Sequence, residues 1–171
     1  MSDASAVCKV YLRLMTLDDV LQVTEIDRAS FSLPWPERSF RFEVTQNNVS
    51  SCWVAEINEI EGKTRLVGMV VSWVLVDVVH IGTLAVHPEF RRCGIGRRLV
   101  AQVLIDAYHK GIRQSFLEVR RSNQAAQALY RRFGFQVVSV RAHYYRDNNE
   151  DALNMNLDNL DIQQLQAIAA A

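Results

Sequence analysis

Residues Ile81 to Gly96 read IGTLAVHPEFRRCGIG: an apolar run with strand character, a short basic connector, and two glycines that open a helical pattern. That succession admits few folds, because the chain must pass from strand to helix through a turn crowded with positive charge. The start of a helix carries backbone N–H groups without intrahelical partners and the positive end of the macrodipole, so phosphate binds there without a dedicated side chain. Gly94 and Gly96 let backbone approach a ligand closely, while Arg91, Arg92, Arg97 and Arg98 surround the same turn with charge. The stretch is expected to hold a polyphosphate.

A dinucleotide is one reading, since Gly94-Ile95-Gly96 could open a fingerprint and Glu118 lies near the expected distance downstream. Three details oppose it. Leu99 stands at the third glycine position, seven residues separate the strand end at Val86 from Gly94, and no strand-helix-strand unit precedes the stretch. A P-loop is excluded more simply, because no Gly-Lys-Ser/Thr follows.

The chain has 171 residues, the length of one ordinary domain, and its 49% apolar and 22% charged residues suit a packed core. Formal net charge is zero, so no global field draws it toward nucleic acid or membrane, and the arginines must act locally. Cys8, Cys52 and Cys93 form no CxxC pair, and MSDASAV lacks a secretory pattern, which leads to the expectation of a reduced, cytoplasmic protein. The longest apolar stretch, Val67 to Ile81, is broken by Ser72, Asp77 and His80 and is no membrane span. Four scattered histidines give a metal no ligand cluster.

Period-two alternation predicts a first strand over Val10 to Leu14. Thr16 or Asp18 caps a helix running to about Ala29, with Leu17, Val20, Leu21, Val23 and Ile26 as its apolar face. Pro36 opens a shorter helix to about Thr45, leaving Trp35 between two prolines on a loop, either a lid on the core or a wall of a substrate cleft. Ser51–Ile57 and Arg65–Val74 read as an antiparallel hairpin about a turn at Asn58 to Lys63, and Val76 to Val86 continues it as a meander. A helix then runs from Gly96 to about Lys110, stopped by Gly111, with Leu99, Val103, Leu104, Ala107 and Tyr108 on one face. With a strand over Ser115–Val119 it makes a right-handed crossover and a parallel pair. Asn123 starts a helix striped by Ala126, Leu129, Tyr130 and Phe133 and ended by Gly134; Phe135–Val140 and Ala152–Leu157 are the last strands, around a polar hairpin. The tail from Asp158 has the composition for one or two helical turns. The fold class is α+β: one domain over residues 1–171, with its core at about 10–157, in which a mixed, mostly antiparallel sheet of about seven strands carries about four helices on both faces.

The order of elements and the motif Arg91-Arg92-Cys93-Gly94-Ile95-Gly96 resemble the GCN5-related N-acetyltransferase (GNAT) superfamily, whose motif is Arg/Gln-x-x-Gly-x-Gly/Ala after the fourth strand. Within it, Leu117–Phe135 (LEVRRSNQAAQALYRRFGF), Leu33–Phe40 (LPWPERSF) and the pair Tyr144-Tyr145 resemble the ribosomal-protein-alanine (RimI-like) N-acetyltransferases, while His80-Ile81-Gly82-Thr83 is closer to the wider N-terminal acetyltransferases. The resemblance implies transfer of an acetyl group from acetyl-coenzyme A to a protein N-terminal amine, the ribosomal protein S18 alanine or a broader set. It implies coenzyme contacts from the backbone of Leu84, Ala85 and Val86, from Arg92, Cys93, Gly94, Ile95, Gly96 and Arg97 for the pyrophosphate, and from Asn123 for the pantetheine. It also implies Glu118 as general base and Tyr130 as general acid. Trp35, Tyr144 and Tyr145 are candidate acceptor contacts. Neither nucleic acid nor membrane is an expected partner. The alternatives are a small-molecule amine or lysine as acceptor, or an acyl-coenzyme A binding module without turnover.

The chemistry suits these residue types. An amine must attack a thioester in its neutral form, and a carboxylate in a cleft, its pKa raised by partial burial, is expected to take the proton. The residues alone leave Glu118 open between this role and pairing with Arg120 or Arg121, and leave Tyr130 open between acid and packing. Charge building on the former carbonyl oxygen needs a fixed donor, for which Val86 N–H is the candidate. Asn123 can cap its helix through one amide group and bond a ligand through the other. Cys93, beside four arginines, has no His or Asn partner motif, so a covalent cysteine mechanism is rejected.

Overall fold

A computed structural model describes residues 9–59 and 62–171. Cys8, the preceding residues, and positions 60 and 61 of the hairpin turn lie outside them. Seven strands form one sheet in the order β1-β2-β3-β4-β5-β7-β6. The strands are β1 (Val10–Leu14), β2 (Ser50–Asn58), β3 (Thr64–Leu75), β4 (Val78–Val86), β5 (Gln114–Arg120), β6 (Gln136–Tyr145) and β7 (Glu150–Leu157). The helices are α1 (Val20–Ser30), α2 (Glu37–Thr45), α3 (Ile95–His109), α4 (Gln124–Arg132) and α5 (Ile162–Ala170). Only β4 and β5 run parallel; every other neighbouring pair is antiparallel.

Side chains that alternate across the strands feed two cores. On one face Ile95, Leu99, Val103 and Leu104 of α3 pack with Tyr130, Phe133 and Leu165 over Val70, Val79, Ile81 and Leu117. On the other, Val20, Val23 and Ile26 of α1 and Phe40 of α2 pack over Cys52, Val54, Met69 and Ala85. Each fully buried Leu, Ile or Phe contributes about 1.5–3 kcal/mol, so both layers hold the sheet firmly.

The sequence placed Leu17 and Leu21 on the inner face of α1, and both are exposed. Leu17 belongs to a 3-10 turn before the helix, so it is out of phase, and Leu21 lies off the Val20, Val23, Asp27 stripe. Pro36 is the N-cap of α2 rather than its first residue, with extended backbone at φ −69°, ψ 148°. The tail forms a nine-residue helix, α5, whose first turn Asp161 caps at Gln163 N and Gln164 N, and its Leu165 is buried on the α3 side. Among the described residues, no helix is long and apolar enough to cross a membrane.

Asp27 is fully buried in α1. Its Oδ2 accepts the Trp35 N–H at 2.6 Å, tying down the loop before α2, while Oδ1 has no partner among the described residues. Burial pushes its carboxyl up to about 6, and the Trp35 N–H draws it part of the way back. The folded state therefore holds this proton more tightly than the unfolded one. The associated stability is present below about pH 3.9 and is lost as pH rises through about 6, a difference of roughly 3 kcal/mol at most. Asp27→Asn keeps an oxygen for Trp35 and removes the charge. Thermal denaturation at pH 7 is expected to show a rise of several degrees in Tm, about 2 kcal/mol, with almost none at pH 4.

Candidate active site

β4 and β5 pair only from Val78↔Gln114 to Ile81↔Leu117. Beyond that point β4 continues to Val86 and β5 to Arg120 without each other, and the sheet opens. The opening begins at a register shift against β3, where Ser72 faces Ile81 and Val71 faces Thr83, so Gly82 is an extra residue on β4. A bulge of this kind re-aims the side chains that follow it. Val79 and Ile81 point into the α3 core before it; Ala85 points into the α1 core after it, and Leu84 and Val86 turn to the α3 side. Groups from opposite faces of the sheet can thus meet in one gap.

Two clefts run along the gap. The larger, about 710 Å3, is lined by Leu84, Val86, Arg92, Gly94, Gly96 and Arg97, with Arg132 and Leu129 across it. The second, about 370 Å3, is lined by Trp35, Glu118, Asn123, Tyr130 and Tyr145 among others. Leu84 and Ala126 line both, which makes the passage continuous.

The basic turn has the shape of an anion cradle. Arg92 and Gly94 both take positive φ, 67° and 76°, and α3 follows directly. A Cβ on Gly94 would also lie 3.2 Å from the Arg97 guanidinium. Arg98 N–H bonds Gly94 O, leaving the N–H groups of the residues just before it as the unpartnered first turn. Arg97 Nε is buried without a partner among the described residues. Arg91 Nε donates to Val86 O at 3.1 Å, bracing the turn against the strand end. Cys93 lines neither cleft; it is exposed, and its Sγ faces Arg91 O. Ala85 likewise turns its side chain away, into the α1 core. His87 N–H bonds Val67 O on β3, so strand alternation directs the Val86 N–H to the other edge, toward the gap.

Glu118 is half-buried, and neither Arg120 nor Arg121 pairs with it. Its Oε2 meets His80 Nε2 at 2.6 Å, and Arg141 Nη1 stands 3.7 Å from Oε1. The His80 hydrogen bond holds the carboxyl below the usual carboxylate range, against burial, with the charges of His80 and Arg141 adding to it. The expectation that burial would raise this pKa is therefore corrected: a specific donor outweighs desolvation. His80 is stacked on Phe116 (centroids 4.1 Å, 12°) and lies 5.2 Å from Trp73. Its place in the site was missed, because only the β4-β5 register brings residues 38 positions apart together.

Tyr130 is buried edge-on against Phe135 yet lines the cleft. Burial, and then the neighbouring Tyr145, raise its hydroxyl well above the usual phenol range. Tyr145 is itself pushed up to about 12 by burial, although Arg120 lies 3.9 Å over its ring. Asn123 caps α4 by accepting the Ala126 N–H at 3.0 Å. Trp35 is both lid and wall: it stacks on Trp73 (6.1 Å, 14°), packs on the α1 core, and lines the cleft. Tyr144 is 41% exposed beside Arg141 and lines neither cleft. The buried Gln127, absent from the expected stripe, bonds Arg120 O and Arg121 O and so fixes the end of β5.

Residues 20–135 match the acetyltransferase (GNAT) family. A Bacillus subtilis protein, provisionally named a ribosomal protein bS18-alanine N-acetyltransferase, is 37% identical over 147 residues, covering 86% of this chain and 94% of that protein. The Mycobacterium tuberculosis N-alpha-acetyltransferase RimI is 32% identical over 154 residues, covering 89% and 94%. The crystal structure of the Escherichia coli ribosomal-protein-S18-alanine N-acetyltransferase superposes with a TM-score of 0.76 at 26% identity, covering 87% of this chain and 93% of that one.

Proposed function

The chain belongs to the GNAT acetyltransferase family, and from that premise we propose that it transfers the acetyl group of acetyl-coenzyme A to the N-terminal α-amine of a protein, a ribosomal protein among its acceptors. The expected place of action is the cytoplasm. One observation carries the reading: a carboxylate and a phenol from opposite faces of the sheet line one cleft, and that cleft joins an anion cradle at Leu84 and Ala126.

The cradle fits the coenzyme. The buried, unpartnered Arg97 Nε and the first-turn N–H groups of α3 are donors suited to the pyrophosphate. The edge of β4 at Leu84 and Val86 and the amide N–H groups of Asn123, which have no partner among the described residues, suit the pantetheine. When bound, acetyl-coenzyme A supplies an acetyl thioester at the junction of the clefts.

Glu118 is ionised at cell pH and receives the amine as its charge and hydrogen-bond partner. Its depressed pKa makes it a weak base. An α-amine, with pKa about 7.7–8.0, is already about one-tenth neutral at pH 7, whereas a lysine amine near 10.4 is neutral about once in 2,500. A weak carboxylate therefore suffices for the first and serves the second poorly. Once the N–C bond forms, the nitrogen proton is strongly acidic and passes to Glu118. Val86 N–H faces the oxygen that gains charge, a contact worth about 2.7–4 kcal/mol if its geometry is preorganised. Tyr130, kept protonated by its burial, presents its hydroxyl proton to the departing sulfur as general acid.

Peptides beginning with Ala, Ser, Met, Thr and Glu, compared with lysine-only peptides and polyamines by coenzyme A release, test the reading. Turnover is expected with free N-termini. Turnover confined to the lysine or polyamine controls would overturn it.

A further inference from the structure

Trp73, near the end of β3, touches more of the site than its position suggests. Its Nε1 donates to Glu43 Oε2 of α2 at 2.8 Å, and the same carboxylate oxygen accepts Asn47 Nδ2 at 2.8 Å. The far edge of the indole lies over Gly82, the bulge residue at which β4 leaves β5. A Cβ there would meet Trp73 Cη2 at 2.3 Å and Cζ3 at 2.4 Å, so no side chain fits while the indole holds its place. One face of the ring stacks on Trp35 of the acceptor wall, and His80 lies against it at 56°. His80 in turn is stacked on Phe116 and bonded to Glu118.

The imidazole is thus held by Phe116 and Trp73, and only one of these is anchored from outside the sheet. We infer that Trp73 is a positioning residue for the acetyl transfer proposed above: clamped by Glu43 and seated in the notch left by Gly82, its indole keeps the His80 ring where Nε2 meets Glu118. The role rests on that reading for its catalytic meaning, but the alignment of His80 on Glu118 can be observed without any acceptor. A ring freed on one side turns about its χ angles, and a misplacement of about 1 Å in such a site costs up to a hundredfold in rate.

The test uses the full chain with Trp73→Leu, Trp73→Phe, Gly82→Ala and the Trp73→Leu/Gly82→Ala double variant. The Glu118 carboxyl is titrated by carbon-detected NMR, and kcat and KM are measured with an N-terminal peptide. Trp73→Leu and Gly82→Ala are expected to move the Glu118 titration to higher pH than in the wild type and to lower kcat about tenfold, with acceptor KM within about twofold. Trp73→Phe, which keeps a ring beside His80, is expected to retain the wild-type titration. The double variant is expected to be no worse than Trp73→Leu, because both changes act through one contact. A wild-type titration in both Trp73→Leu and Gly82→Ala overturns the inference, as does an effect confined to acceptor KM, which would make Trp73 part of the acceptor wall only. If the wild type acetylates no N-terminal peptide, the functional reading falls, and the titration still decides the positioning role.

Discussion

Glu118→Gln is expected to lower kcat/KM by about 10²- to 10⁴-fold, the span that a positioned general base contributes. The substitution keeps the shape of the side chain and one oxygen for His80, so what it removes is the charge and the capacity to take a proton. The pH dependence sharpens the expectation. His80 holds the Glu118 carboxyl below its ordinary range, so this group is ionised at every pH near neutrality and contributes no limb there. The rise of kcat/KM with pH belongs instead to the acceptor amine, with a bend at about 7.7–8.0 for an α-amine. Glu118→Gln should therefore keep that bend and lower the whole profile by a similar factor. A loss concentrated at low pH would mean that Glu118 titrates in the working range, contrary to its pairing with His80. The same pair contributes to stability above the ordinary Glu value, and that contribution is lost as pH falls through the depressed one.

Tyr130→Phe comes second in size. The side chain is buried where it lines the cleft, and no hydrogen bond from the described residues offsets its desolvation. Raised in this way, the hydroxyl is protonated throughout the working range, and its contribution is a hydrogen bond to the sulfur as negative charge gathers there, along which the proton can follow as general acid. A bond to a charged group is worth about 1.5–3 kcal/mol, which corresponds to about 10- to 150-fold in kcat. The ring keeps its contact with Phe135, so Tm should stay within a few degrees of the wild type and KM for acetyl-coenzyme A should barely change. The wild-type profile should show no alkaline fall from this residue. Steady-state kinetics from pH 6 to 10 check both statements; an undiminished kcat in the phenylalanine variant would remove Tyr130 from the chemistry.

What the sequence made legible is what short-range chemistry decides. The strand, basic turn and glycines of Ile81 to Gly96 carry their own geometry, because phosphate binding at a helix start needs only backbone and one left-handed glycine. The apolar spacing of Leu99, Val103 and Leu104 likewise identified the buried face of α3. The α1 face was misjudged at Leu17 because a 3-10 turn shifts the helical phase, and at Leu21 because the buried stripe of α1 includes the polar Thr24 and Asp27, which apolar periodicity does not register. The less legible part of the site depends on register. His80 reaches Glu118 only because β4 and β5 pair in parallel up to Ile81↔Leu117, and Trp73 reaches Gly82 only because β4 carries a bulge there. The sign of the Glu118 shift followed from that pairing: burial alone would raise it, and the imidazole reverses the outcome. Tyr144 and Tyr145 stood together in sequence, yet only Tyr145 lines the cleft.

The central claim, a weak carboxylate serving an α-amine beside a coenzyme cradle, is tested most directly with one peptide that carries both a free N-terminus and an internal lysine. After incubation with the protein and acetyl-coenzyme A near neutral pH, fragmentation mass spectrometry locates the acetyl group. It is predicted on the N-terminal nitrogen, with the lysine unmodified. An acetyl group on the lysine, with the N-terminus left free, would contradict the account.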